Sequence, residues 1–142
     1  MLEVQIFTLY PDLYPGLLDV GIYKKAKEKQ KWSLKIIDIR DYAFDDNRTV
    51  DDAPFGGGSG MLLKPDVVAS ALDKNIKGKE KIIYLSPKGK RLDQKEVKYL
   101  SKLNKINILC GHFEGIDQRL LETRNIEEYS ICLLYTSDAA DE

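Results

Sequence analysis

Histidine and cysteine are nearly missing from this sequence, with one His and two Cys in 142 residues. So few soft ligands leave no set for a zinc-type metal site, and no other metal ligand set can be identified. Cys110 and Cys132 lack C-x-x-C spacing and are too few for a disulfide framework, so a reduced protein is expected. No run approaches the roughly 18 apolar residues of a membrane span, and no signal pattern opens the chain at Met1-Leu2-Glu3, which points to the cytoplasm. G-x-G-x-x-G does not follow the first strand-like run, and the glycine-rich loop lacks a G-K-[ST] ending, which argues against nicotinamide enzymes and P-loop NTPases. A net charge of −1 excludes a global basic field.

What is present reads as one α/β domain. Leu2–Leu9, Trp32–Ile39, Lys81–Leu85 and Lys105–Cys110 are short β-rich runs, and Glu127–Leu134 offers a further strand. Between them lie helical patterns: Leu13–Gln30, broken near Pro15-Gly16 and Gly21, then Pro65–Leu72, a helix from Asp93 to about Leu103, and Ile116–Thr123. Asp93 is the expected N-cap, with Glu96 three residues on. The alternation predicts a mainly parallel sheet with helices on both faces. From Lys74 to Lys105, eleven Lys/Arg face three Asp/Glu, a local surplus of eight positive charges. Solvated helix faces explain such a run, and a phosphate-contacting surface is the alternative.

Ligands of such sheets sit beyond the carboxyl ends of the strands, where three glycine-containing loops fall: Arg40–Met61, Ser86–Gly89 and Gly111–Gly115. The first is too long for a simple connection and carries Gly56, Gly57, Gly58 and Gly60 just after Arg48, Asp51 and Asp52. Bare backbone suits close approach to a ligand, although a flexible surface loop has the same composition. His112 reads as a general base or as a structural residue, and Glu114 as a partner for a cation or as a surface carboxylate. Nothing in the sequence lowers the pKa of Cys110, so a thiolate nucleophile is not expected. The residues by themselves reach a domain that binds a nucleotide or another small, flat, polar molecule.

Four segments then carry a resemblance: I-F-T-L-Y-P (Ile6–Pro11), R-T-V-D-D-A-P-F-G-G-G-S-G-M (Arg48–Met61), Y-L-S-P-K-G (Tyr84–Gly89) and C-G-H-F-E-G-I-D-Q-R (Cys110–Arg119). In this order and spacing they resemble the bacterial tRNA (guanine-N1)-methyltransferase family, of the trefoil-knotted SPOUT class. The resemblance implies methylation of N1 of the guanine 3′ of the tRNA anticodon with S-adenosylmethionine, by a homodimer whose active sites combine both subunits. It implies a cofactor pocket at Leu85, Ser86, Pro87, Gly111, Phe113, Glu114, Gly115 and Ile131. Arg48, Asp51, Gly56, Gly57, Gly58 and Gly60 would lie near the target base.

The likeness stops after Ile131. The family would continue G-D-Y-V-L-[ST]-G-G-E, whereas this chain reads on from Cys132 to Glu142 in a sequence foreign to it. The expectation is therefore a domain over 1–131 with a foreign tail at 132–142, an incomplete knot and part of a pocket. The family's general-base aspartate falls past this point, so no catalytic residue is assigned within the chain. Two rival readings are a non-catalytic nucleotide- or RNA-binding module and a defective product that aggregates through an open sheet edge.

Overall fold

Apolar and β-branched residues concentrate in three runs that form strands: β1 (Leu2–Thr8), β2 (Trp32–Asp38) and β6 (Lys105–Leu109). With β5 (Lys81–Arg91) and β7 (Glu127–Ser130) they make a five-stranded sheet of order β2-β1-β6-β5-β7, parallel throughout. Two short strands, β3 (Asp51–Asp52) and β4 (Leu62–Leu63), pair antiparallel outside it. The helices are α1 (Gly21–Glu28), α2 (Pro65–Asn75), α3 (Gln94–Ser101) and α4 (Gln118–Thr123). The structure is a computed structural model and describes residues 1–52, 62–111 and 116–131.

Local rules account for most element ends. Asp93 accepts a hydrogen bond from the Glu96 amide at 2.9 Å, capping α3 as expected. Gly16 and Gly21 take positive φ (54° and 59°), and they break the Leu13–Gln30 pattern into a 3₁₀ turn at Gly16–Asp19 and the separate helix α1. The expected strand Lys81–Leu85 differs: β5 resumes pairing with β7 beyond the Ser86–Gly89 excursion and ends only at Arg91. The anticipated final strand is β7 over Glu127–Ser130, and residues 132 onward lie outside the described residues, as does any knot they would thread.

Successive residues of β5 serve opposite cores. Ile82 packs with α2 and α4 in a cluster that includes Phe7, Ile37, Val67, Leu109 and Leu120. Ile83 packs on the other face with Leu100 of α3, Ile106 and Tyr129. Helices therefore cover both faces, and β1, flanked by β2 and β6, is buried from Gln5 to Thr8.

Two polar side chains sit inside this apolar sheet. Gln5 and Asn107 are cross-strand partners in the β1–β6 ladder, and Gln5 Nε2 donates to Asn107 Oδ1 at 2.9 Å. Asn107 Nδ2 donates in turn to Glu80 Oε1 and the Lys81 carbonyl, both at 3.1 Å, while Gln5 Nε2 reaches the Asn75 carbonyl at 3.3 Å. Burial pushes the Glu80 carboxyl up, but hydrogen bonds from Asn107, the Lys77 amide and Lys105 outweigh it and hold it below the usual range. A one-residue slip of β6 would strand these donors away from water, so the pair fixes register. Asn107→Leu should cost about 2 kcal/mol in urea unfolding, from the polar groups left behind. Gln5→Leu combined with it should cost less than the sum of the two single changes, because both remove one interaction.

Candidate functional site

The carboxyl ends of the strands bring the three loops together at their bases. The Cys110 amide donates to the Phe7 carbonyl at 2.9 Å, which prolongs the β1–β6 ladder up to Gly111. Leu63, at the exit of the long excursion, forms a parallel bridge with Ile116, at the exit of the Gly111–Gly115 loop. On the other side of β6, the ring of Tyr84 occupies the space a side chain at 111 would need: a Cβ there would lie 2.5 Å from Tyr84 Cε2.

Ser86–Gly89 is a bulge clasped by β7. Leu85 and Lys90 both pair with Tyr129, so the residues between them are looped out against a single partner. Gly89 closes the bulge directly on β7, where a Cβ would stand 2.6 Å from the backbone of Glu128 and Tyr129. Ser86 Oγ donates to Glu128 Oε2 at 2.5 Å. Tyr129 is 1% exposed, and its hydroxyl donates to Glu96 and Glu127 at 3.1 Å each.

Of the anticipated cofactor residues, Leu85, Ser86, Pro87, Gly111 and Ile131 fall on this edge. Leu85 on β5 and Ile131, just past the end of β7, are 41% and 62% exposed. Phe113, Glu114 and Gly115 lie outside the described residues, as do His112, Gly56, Gly57, Gly58 and Gly60. Asp51 is placed by its backbone, opposite Leu63 in the β3–β4 pair. Arg48 has φ 55°, and its guanidinium Nη2 lies 2.6 Å from Asp41 and 3.3 Å from Asp38, turned back toward the end of β2.

Protonation follows burial. Burial pushes the Cys110 thiol above its usual range, so it remains neutral, in line with the sequence reading that it is no nucleophile. Its hydrogen bond with Tyr14, 3.4 Å between Oη and Sγ, is the main reason Tyr14 is pushed up to about 12. Tyr84 is also raised, by burial first and then by the Glu128 charge, and keeps its proton at neutral pH. Among the described residues no group of three His, Cys, Asp or Glu could hold a metal ion. The edge thus offers backbone groups, the Ser86 and Tyr84 hydroxyls and exposed aliphatic side chains, chemistry suited to a flat polar ligand.

Two contributors were not singled out from sequence: Tyr84, which fills the space beside Gly111, and Glu128, which holds Ser86. Tyr84 stands first in the Y-L-S-P-K-G motif, a signal that was available; Glu128 has none, because its role exists only once β7 lies beside β5. Of the Lys74–Lys105 segment, Lys90 and Lys105 pair with Glu96 and Glu80, which the surplus of eight already counts, and Lys81 pairs with Glu127 outside the segment, so most of the surplus remains. The two glycines should respond differently to alanine. Gly89→Ala meets backbone that cannot yield and should cost about 2–3 kcal/mol in thermal unfolding, whereas Gly111→Ala meets a ring that can turn aside and should cost less.

The family model described as tRNA (Guanine-1)-methyltransferase TrmD matches residues 2–135. Curated relatives include a tRNA (guanine-N(1)-)-methyltransferase of Pelagibacter ubique (strain HTCC1062), 60% identical over 131 residues, which are 92% of this chain and 58% of that protein. Like-named proteins of Rhodospirillum rubrum and Agrobacterium fabrum (strain C58) are 44% and 48% identical over 130 residues, covering 92% and 91% of this chain and 54% and 56% of theirs. The chain spans a little over half the length of the curated relatives it matches. Matched over residues 2–135 and carrying a parallel sheet, the chain belongs to the TrmD family of tRNA (guanine-1)-methyltransferases.

Proposed function

We propose that this chain is the cofactor-holding portion of an enzyme that transfers a methyl group from S-adenosylmethionine to N1 of the guanine immediately 3′ of a tRNA anticodon. The observation that carries this reading is the family match over residues 2–135. Features of the sheet edge support placing the cofactor there. Gly111 and Gly89 let the Tyr84 ring and the β7 backbone pack directly against the two loops, and Leu85 and Ile131 present exposed aliphatic side chains at the same end of the sheet. Leu85, Ser86, Pro87, Gly111, Phe113, Glu114, Gly115 and Ile131 would hold S-adenosylmethionine, and Arg48, Asp51 and the glycines at 56–60 would adjoin the guanine. When bound, the cofactor supplies an electrophilic methyl group on its sulfonium.

N1 of neutral guanine carries a proton, so its lone pair becomes available only as a base removes it. The family resemblance assigns that task to an aspartate in the part of the relatives that follows the matched region, past Ile131. The proposal includes a knot completed by that same part, a homodimer, and work on tRNA in the cytoplasm. Among the described residues no helix is long and apolar enough to cross a membrane. The pairing is supported by apolar side chains left open between β1 and β2: Leu17 is 83% exposed, Ile22 75% and Leu13 67%.

Two measurements test this. Residues 1–131 joined to the remaining part of the Pelagibacter ubique relative should methylate a tRNA transcript, with primer extension stopping at the guanine 3′ of the anticodon. A folded, cofactor-binding protein that leaves this guanine unmodified would count against the reaction. In sedimentation equilibrium the same protein should run as a dimer, and Leu17→Glu with Ile22→Glu should make it monomeric without lowering its melting temperature; an unchanged mass would exclude this surface.

A further inference from the structure

The Ser86–Gly89 bulge lies in β5, between β6 and β7, but its pairing with β6 ends at Tyr84, so on that side an excursion of this kind has freedom to move. Two features remove that freedom on the β7 side. Backbone pairing returns to Tyr129 after the bulge, and Gly89 lets the chain approach the Glu128–Tyr129 backbone closely. Both fix the two ends of the bulge, Leu85 and Lys90, and leave the orientation of Ser86 and Pro87 undetermined. Within the bulge, one described contact points from a side chain to β7: Ser86 Oγ to Glu128 Oε2 at 2.5 Å.

Glu128 is otherwise available for this task. Its neighbour Glu127 is engaged by Lys81 and by the Tyr129 hydroxyl, and Glu96 by Lys90 and the same hydroxyl. No described cation pairs with Glu128, so its charge is directed to the serine hydroxyl and raises the proton affinity of nearby Tyr84. Hydrogen bonds to an ionised acceptor are short and about twice as strong as neutral ones, which suits a contact that must hold a loop paired on the β7 side alone.

We infer that Glu128 is a positioning residue for the cofactor loop: its carboxylate holds Ser86 and so sets Ser86-Pro87 in the shape that receives S-adenosylmethionine. This rests on the reading of that edge as the cofactor site. Glu128 touches neither the reacting methyl group nor the guanine in this account and acts through Ser86 alone. A purely structural carboxylate on β7 would alter stability; a positioning one alters affinity for one substrate.

The test uses residues 1–131 joined to the remaining part of the Pelagibacter ubique relative, with S-adenosylmethionine as probe in calorimetry and both substrates varied in kinetics. Glu128→Ala and Ser86→Ala should each weaken S-adenosylmethionine binding and raise its KM by about tenfold, with the KM for tRNA and the melting temperature little changed. The double variant should be no weaker than either single one, and Glu128→Gln, which keeps an acceptor oxygen, should recover most of the affinity. Equal affinity in Glu128→Ala and the unsubstituted protein would overturn the inference while leaving the cofactor assignment in place. Additive losses in the double variant would overturn it as well, by showing that the two residues act separately. An unsubstituted protein that folds and binds no S-adenosylmethionine would overturn the cofactor assignment, and this inference with it.

Discussion

The candidate site depends on the grip of β7 on β5. Tyr129 pairs through its backbone with residues on both sides of the Ser86–Gly89 bulge, while its buried ring packs against Ile83, Leu100 and Ile106. One residue therefore locks the loop to the sheet and the sheet to α3. Its hydroxyl is placed by Glu96 and Glu127, whose charges are balanced by Lys90 and Lys81. Burial, then these carboxylates, raise the proton affinity of Tyr129 well above the ordinary tyrosine value, so it stays a neutral donor at all working pH values. Without β7 the excursion after Leu85 would be an ordinary turn on an edge.

The other half of the arrangement is the buried centre of the sheet. β1 and β6 are packed on both faces, and their ladder is registered by Gln5 and Asn107 rather than by apolar pattern alone. In a strand buried on both faces, alternation carries no information, and a slip would exchange one buried apolar row for another. A hydrogen-bonded polar pair removes that ambiguity. It also sets the height of Cys110 and Gly111 relative to Phe7, and hence where the second loop leaves the sheet. Register at the centre and the clasp at the edge together place Gly111 beside Tyr84.

Much of this was legible in the sequence because it is local. The β-rich runs, the Asp93 cap, the breaks at Gly16 and Gly21 and the parallel sheet all follow from short-range chemistry and alternation. Strand order was not legible, since β6 inserts between β1 and β5 through helix packing that no single segment encodes. The length of β5 was misjudged for a related reason: Ser86-Pro87-Lys88-Gly89 reads as a terminus, and only pairing with β7 returns the chain to the sheet. Gln5 and Asn107 showed as polar residues in V-Q-I and I-N-I runs, but their partnership is a tertiary fact. Two of the three loops, Arg40–Met61 and Gly111–Gly115, do follow strand ends, whereas Ser86–Gly89 is a bulge inside β5, and Glu128 had no sequence signal because it acts across strands.

The central claim is that the edge formed by β5, β6 and β7 receives the methyl donor. Backbone hydrogen exchange with and without S-adenosylmethionine, on residues 1–131 joined to the remaining part of the Pelagibacter ubique relative, tests it most directly. The account predicts slower exchange at residues 84–91, at Gly111 and at residues 127–131, with α1 and β2 unchanged. Tight binding that protects other segments and leaves these amides at their free rates would contradict it.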